Sequence, residues 1–146
     1  MGAGIAYALM QSGSAVTLVE RDDEAAASAR ARVSGLLDAA VSRGLTSADK
    51  AAVQLTSMRF QAGYDDLQDA GLAIEAAFED MAVKKDVLAA LDSAMPDAVL
   101  ATNTSYLDID KMAGWLADPS RLVGLHFFSP AHIHEGAGNW PRQGQQ

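Results

Sequence analysis

A chain of 146 residues is long enough for one domain with a real core and too short for two ordinary ones. Apolar residues at 49% and charged residues at 21% lie near the averages of folded chains, which excludes disordered and fibrous classes. A net charge of −8, with only 11 Lys and Arg and no basic stripe, argues against a nucleic-acid partner, because phosphate binding needs clustered cations.

The absence of cysteine removes disulfides, thiolate metal sites and cysteine nucleophiles, and fits a reducing cytoplasm. No apolar run reaches membrane-spanning length, so no membrane partner is expected. The apolar opening from Gly2 to Met10 lacks the basic start of a secretory signal.

In chain order, residues 4–11 have helical spacing of Ile5, Ala8 and Leu9, and Gly13 marks the stop. Residues 15–20 (AVTLVE) form a strand-length apolar run closed by an acid, as expected of a parallel strand covered on both faces. Asp22, Asp23 and Glu24 suit a helix N-terminus, and Ala29, Val33, Leu36, Leu37 and Ala40 repeat at helical spacing up to Gly44. A shorter helix over 46–55 has Ser47 as its cap, followed by a brief strand at 57–61.

The second half repeats the alternation. Residues 72–77 (LAIEAA) read as a buried strand, and 83–95 as a helix with apolar Val87, Leu88 and Leu91, ended by Pro96. Strand 99–102, a short helix over 110–116 and a hydrophobic strand over 122–128 complete the pattern. Strands alternating with helices predict an α/β doubly wound parallel sheet, with ligands at the carboxyl ends of its strands. From His134 onward the periodicity is lost, giving a domain at 1–133 and a non-matching tail at 134–146.

Candidate chemistry collects at those strand ends. A dinucleotide site places a G-x-G-x-x-G turn between a strand and a helix, so that helix N-terminal amides meet the pyrophosphate. Gly2 can be the last glycine of that motif, with the first strand and two glycines upstream of residue 1. Two small residues opening a helix read equally well. Glu20 closes its strand where such folds put an acid on the adenosine ribose hydroxyls, and its charge would repel a 2′-phosphate. NAD is thus favoured over NADP, although Arg21 pulls the other way, and an exposed acid at a strand end is the competing reading.

Glu75 stands inside an apolar strand, where a carboxylate needs a hydrogen-bonding partner, and it reads as structural. Glu79 and Lys84 follow at the carboxyl edge, where a cofactor would pass, but charges opening a helix are common. Asn103, Thr104 and Ser105 can hold a nicotinamide or substrate oxygen, while a turn with an N-cap explains them as well. His126 lies among apolar neighbours near the end of its strand. A lone strand histidine is more often structural, but this edge is where alcohol oxidation needs a base. His126, His132 and His134 lack a carboxylate or histidine at ligand spacing, so no metal is expected.

The stretches IEAAFEDMAVKKDV, LATNTSYLDID and RLVGLHFFSPAH, in that order after MGAGIA, closely resemble the NAD-binding domain of 3-hydroxyacyl-CoA dehydrogenases over residues 1 to about 133. NTSYLD and HFFSPAH are most similar to the dehydrogenase part of multifunctional fatty-acid oxidation enzymes. The resemblance implies a Rossmann-like fold, NAD as cofactor and (3S)-3-hydroxyacyl-CoA oxidised to 3-oxoacyl-CoA. It implies His126 as catalytic base and Ser105 as the hydrogen-bond donor to the substrate oxygen. Gly2, Glu20, Glu79, Lys84, Asn103 and Ser129 take cofactor-binding positions. Dimers or multienzyme complexes are implied for intact relatives.

The departures carry equal weight. The family's glutamate that orients the histidine falls at Gly138, with Glu135 three residues early, which implies a broken dyad. Set against the family, the chain is expected to lack the first strand and the C-terminal helical domain. The strands ending at Glu20 and beginning at Leu72 then lose a shared neighbour, leaving two interior edges unpaired. A non-catalytic NAD-binding or interaction module is the alternative; a nucleotide-binding methyltransferase would not account for NTSYLD together with HFFSPAH.

Overall fold

The computed structural model describes residues 2–104 and 107–126. Helix α1 (Gly2–Gln11) starts two residues earlier than its apolar spacing indicates, and the chain reverses at Gly13, whose φ of +92° is open to glycine at little cost. Strand β1 (Thr17–Glu20) leads into helix α2 (Asp23–Ser42). Asp22 caps α2, its Oδ1 accepting the Ala25 amide at 2.7 Å, and Asp23 and Glu24 lie in the first turn where the macrodipole favours them. Replacing Asp22 by Ala is expected to cost about 1 kcal/mol, read as a lower urea midpoint at unchanged m-value.

The buried stripe of α2, Ala26, Ala29, Val33, Leu37 and Ala40, keeps the spacing of three and four residues expected from the sequence. Ser47 caps helix α3 (Ala48–Ser57) by accepting the Lys50 amide at 3.1 Å, and strand β2 (Arg59–Ala62) follows. The second half contains strand β3 (Leu72–Glu75), helix α4 (Met81–Ala94), strand β4 (Val99–Asn103), helix α5 (Ile109–Ala113) and strand β5 (Leu122–Leu125). Helix α4 begins ahead of the expected residue 83 because Asp80 caps it, its Oδ1 accepting from the Val83 amide at 3.1 Å.

Every strand pair is parallel. Strands β1 and β2 pair from Thr17↔Arg59 to Glu20↔Ala62, while β4 pairs with β3 on one side and β5 on the other. The orders β1-β2 and β3-β4-β5 are the five outer positions of the 3-2-1-4-5-6 order of a doubly wound sheet, on either side of its central strand. Among the described residues β1 and β3 each have one strand partner, so the two open edges expected from the sequence are present.

The core divides at the same place. One cluster gathers Tyr7, Met10, Leu18, Val33 and Leu37 under α1 and α2; the other gathers Leu88, Leu91, Leu100, Met112 and Leu122 between α4, α5 and their strands. Val19 of β1 packs against the second cluster and links the halves. No described helix is long and apolar enough to cross a membrane.

Candidate functional site

Strand ends are set by side chains as much as by the ladder. The β3–β4 pairing stops at Glu75↔Thr102, short of the expected residue 77. Just beyond it, the Ala77 amide donates to Glu75 Oε2 at 3.1 Å and the Ala77 carbonyl accepts from Lys84 Nζ at 3.3 Å, drawing the chain out of the sheet. The β4–β5 pairing stops at Asn103↔Leu125, because β4 itself ends there. His126 therefore stands one residue past β5 and is exposed, a correction to the expectation that the histidine lies inside its strand; residues 127 and 128 of the expected strand lie outside the described residues.

At the ends of β3 and β4 a polar network lies beneath the surface. Lys84 is 0% exposed and Glu75 3%. The Lys84 ammonium donates to Glu75 Oε1 at 2.8 Å, Glu75 Oε2 at 3.1 Å and the Asn103 carbonyl at 3.1 Å, besides Ala77. Thr102 Oγ1 donates to Glu75 Oε1. The three N–H donors of an ammonium are thus directed at three protein groups on two strand ends. Above this network Thr104 Oγ1 donates to Glu79 Oε1 and accepts the Leu107 amide at 3.1 Å, so the turn read after β4 is present and is tied to the loop after β3.

The candidate residues fall into two groups. Gly2 opens α1 and Glu20 closes β1, on the β1–β2 side of the sheet. Glu20 lines an open depression together with Arg21, Ser28 and Arg32. The Arg21 side chain is exposed and leans on Asp22, Nε to Oδ2 3.3 Å. Glu79, Lys84, Asn103 and His126 lie at the carboxyl ends of β3, β4 and β5, with Glu79 and Asn103 half-buried. Ser105, Ser129 and the tail 134–146 lie outside the described residues. Among the described residues no group of three or more His, Asp or Glu is placed to hold a metal ion.

Reading the sequence left Glu75 without a named partner and passed over Thr102. The signal was available in α4. Lys84, Leu88 and Leu91 are its buried residues, and their spacing of four and three puts Lys84 on the apolar stripe. A lysine there must bring its ammonium to a buried acid, and Glu75 was the acid on hand.

Parallel strands in this order, an acid closing the strand after the first helix and polar groups at the opposite strand ends define a Rossmann-type nucleotide-binding domain. The family described as 3-hydroxyacyl-CoA dehydrogenase, NAD binding domain, matches residues 1–135, and the chain belongs to that family, whose cofactor is NAD. It is 39% identical over 135 residues to a 3-hydroxybutyryl-CoA dehydrogenase of Mycobacterium tuberculosis, covering 91% of this chain and 47% of that protein. It is 38% identical over 134 residues to the peroxisomal bifunctional enzyme of Danio rerio, covering 91% of this chain and 18% of that one. Single-function and multifunctional relatives thus match at nearly equal identity.

The crystal structure of M. tuberculosis FadB2 superposes with a TM-score of 0.85 at 40% identity, over 90% of this chain and 47% of that one. The dehydrogenase part of a multifunctional enzyme from C. elegans superposes with a TM-score of 0.77 at 28% identity, over 91% and 30%. The chain spans about half the length or less of the relatives it matches.

Proposed function

We propose that this chain binds NAD across the ends of its strands and carries the residues of a 3-hydroxyacyl-CoA dehydrogenase that act on the 3-hydroxyl. The observation that carries this reading is the placement of Asn103 and His126 at adjacent strand ends, fixed by the Asn103↔Leu125 pairing, inside a family whose cofactor is NAD. The residues present fit a dinucleotide. Gly2 opens α1, whose first-turn amides are the groups an anion would meet, and Glu20 stands at the rim of a depression where ribose hydroxyls can reach its carboxylate. The carboxylate of Glu20 disfavours a 2′-phosphate and so favours NAD over NADP, with Arg21 and Arg32 of the same depression pulling the other way.

In this reading Glu79, Lys84, Asn103 and Ser129 serve the nicotinamide half of the site. Ser105 donates to the substrate oxygen, and His126 takes the proton of the 3-hydroxyl as general base. Bound NAD supplies the hydride acceptor. The substrate is an acyl-CoA, and relatives named as multifunctional enzymes support a place in fatty-acid β-oxidation. The domain occupies residues 1–133, followed by the tail 134–146. The cysteine-free composition supports a cytoplasmic setting.

Gly138 stands where the family has the glutamate that orients the histidine, so turnover is expected to be weak or absent in this chain. Acetoacetyl-CoA-dependent oxidation of NADH by the purified chain tests the reading. Turnover supports the dehydrogenase, and NADH binding without turnover leaves the non-catalytic NAD-binding module in its place.

A further inference from the structure

We propose that α2 carries a seat for a ribose 2′-phosphate, built from Arg32 and Ser28 with Arg21 at its rim, and that the Glu20 carboxylate keeps this seat closed to NADP. The inference rests on the NAD-binding reading and adds to it the residues that set the choice between the two cofactors.

The seat follows from helical spacing. Glu24, Ser28 and Arg32 stand four residues apart on α2 and so share one face, and all three line the depression that Glu20 borders. Helical side chains lean back toward the N-terminus of their helix, which directs Arg32 over the turn of Ser28 and toward the strand end. Ser28 and Arg32 are exposed and Glu20 is half-buried, so a ligand reaches all of them without moving the core.

How the charges of the depression are already engaged decides which one is open to a ligand. Asp22 Oδ1 accepts the Ala25 amide at 2.7 Å and its Oδ2 takes Arg21 Nε at 3.3 Å, so Arg21 and Asp22 offset one another at the rim. Among the described residues the Arg32 guanidinium has no hydrogen-bonded or ionic partner. It therefore faces the depression as a free fork of donors, the group that matches phosphate oxygens best. Against it stand the carboxylates of Glu20 and Glu24. Glu20 closes the strand where ribose hydroxyls are read, so its charge is the one a 2′-phosphate meets first. Neutralising Glu20 leaves Arg32 balanced against Glu24, with Ser28 as a further donor beside it. NAD has no group for this seat, so Arg32 discriminates between the cofactors without contributing to NAD affinity.

Titration of the full chain with NADH and with NADPH, followed by nucleotide fluorescence, reads the 2′-phosphate through the ratio of the two affinities. Arg32→Ala is expected to weaken NADPH at least threefold and to leave NADH within twofold of the parent. In Glu20→Gln the preference is expected to reverse, with NADPH the tighter ligand by at least threefold. In Glu20→Gln/Arg32→Ala it is expected to return to parity or below. Equal weakening of both nucleotides by Arg32→Ala marks a contact with a group they share and overturns the seat. A reversal that survives in the double variant, or a Glu20→Gln ratio that stops at parity, overturns it as well. Binding of neither nucleotide, by the parent and by Glu20→Gln alike, refutes the NAD-binding reading and the seat with it, whereas NADH binding with a ratio unmoved by either substitution refutes the seat alone.

Discussion

Lys84→Met is expected to destabilise the protein by about 3–5 kcal/mol, the largest effect of any single substitution at the strand ends. The cause is the carboxylate left behind. Glu75 is 3% exposed, and without the ammonium its partners among the described residues are the Thr102 hydroxyl and the Ala77 amide. Combining the change with Glu75→Gln is expected to restore at least half of the loss, because a neutral pair has no buried charge to leave unpaired. Urea denaturation of the parent, the two single variants and the double closes a double-mutant cycle that measures the coupling. Additive losses would show that the pair is not coupled.

His126→Ala is expected to remove turnover rather than binding. Whatever acetoacetyl-CoA-dependent NADH oxidation the parent shows should fall by about 10²–10⁴-fold, the usual contribution of a general acid–base group. NADH affinity should stay within twofold of the parent, since the residue is exposed one position past β5. Equal loss of binding and turnover would mark His126 as part of the cofactor cradle instead.

The helices and the presence of each strand were legible in the sequence because they follow from periodicity and caps. Asp22 and Ser47 are side-chain caps of α2 and α3, and the stripe Ala29, Val33, Leu37 and Ala40 is buried as spaced. Strand ends were less so. Their limits depend on where a neighbour stops, and the pairings of Glu75 with Thr102 and of Asn103 with Leu125 are long-range facts that no local pattern encodes. The same holds for the buried network: Lys84 and Glu75 are nine positions apart across a strand end and a loop, and Thr102 is 27 positions from Glu75. Local chemistry could say that Glu75 needed a partner. Only the fold says which one.

The candidate site was legible chiefly through family resemblance, since Glu79, Asn103 and His126 each have an ordinary structural reading when taken alone. Geometry adds that they lie at the carboxyl ends of neighbouring strands, and that Lys84, the other candidate on that side, is buried. The divided core is the other structural result. Among the described residues two core clusters form, Val19 of β1 packs against the second, and β1 and β3 each pair with one strand.

The central claim, that these strand ends form an NAD site with Glu20 as its ribose acid, is tested most directly by titrating the purified chain with NADH and following nucleotide fluorescence. The account predicts saturable binding that ADP-ribose displaces, with NADPH weaker by at least tenfold and that preference lost in Glu20→Gln. No saturable binding, or equal affinity for NADH and NADPH in the parent, would contradict it.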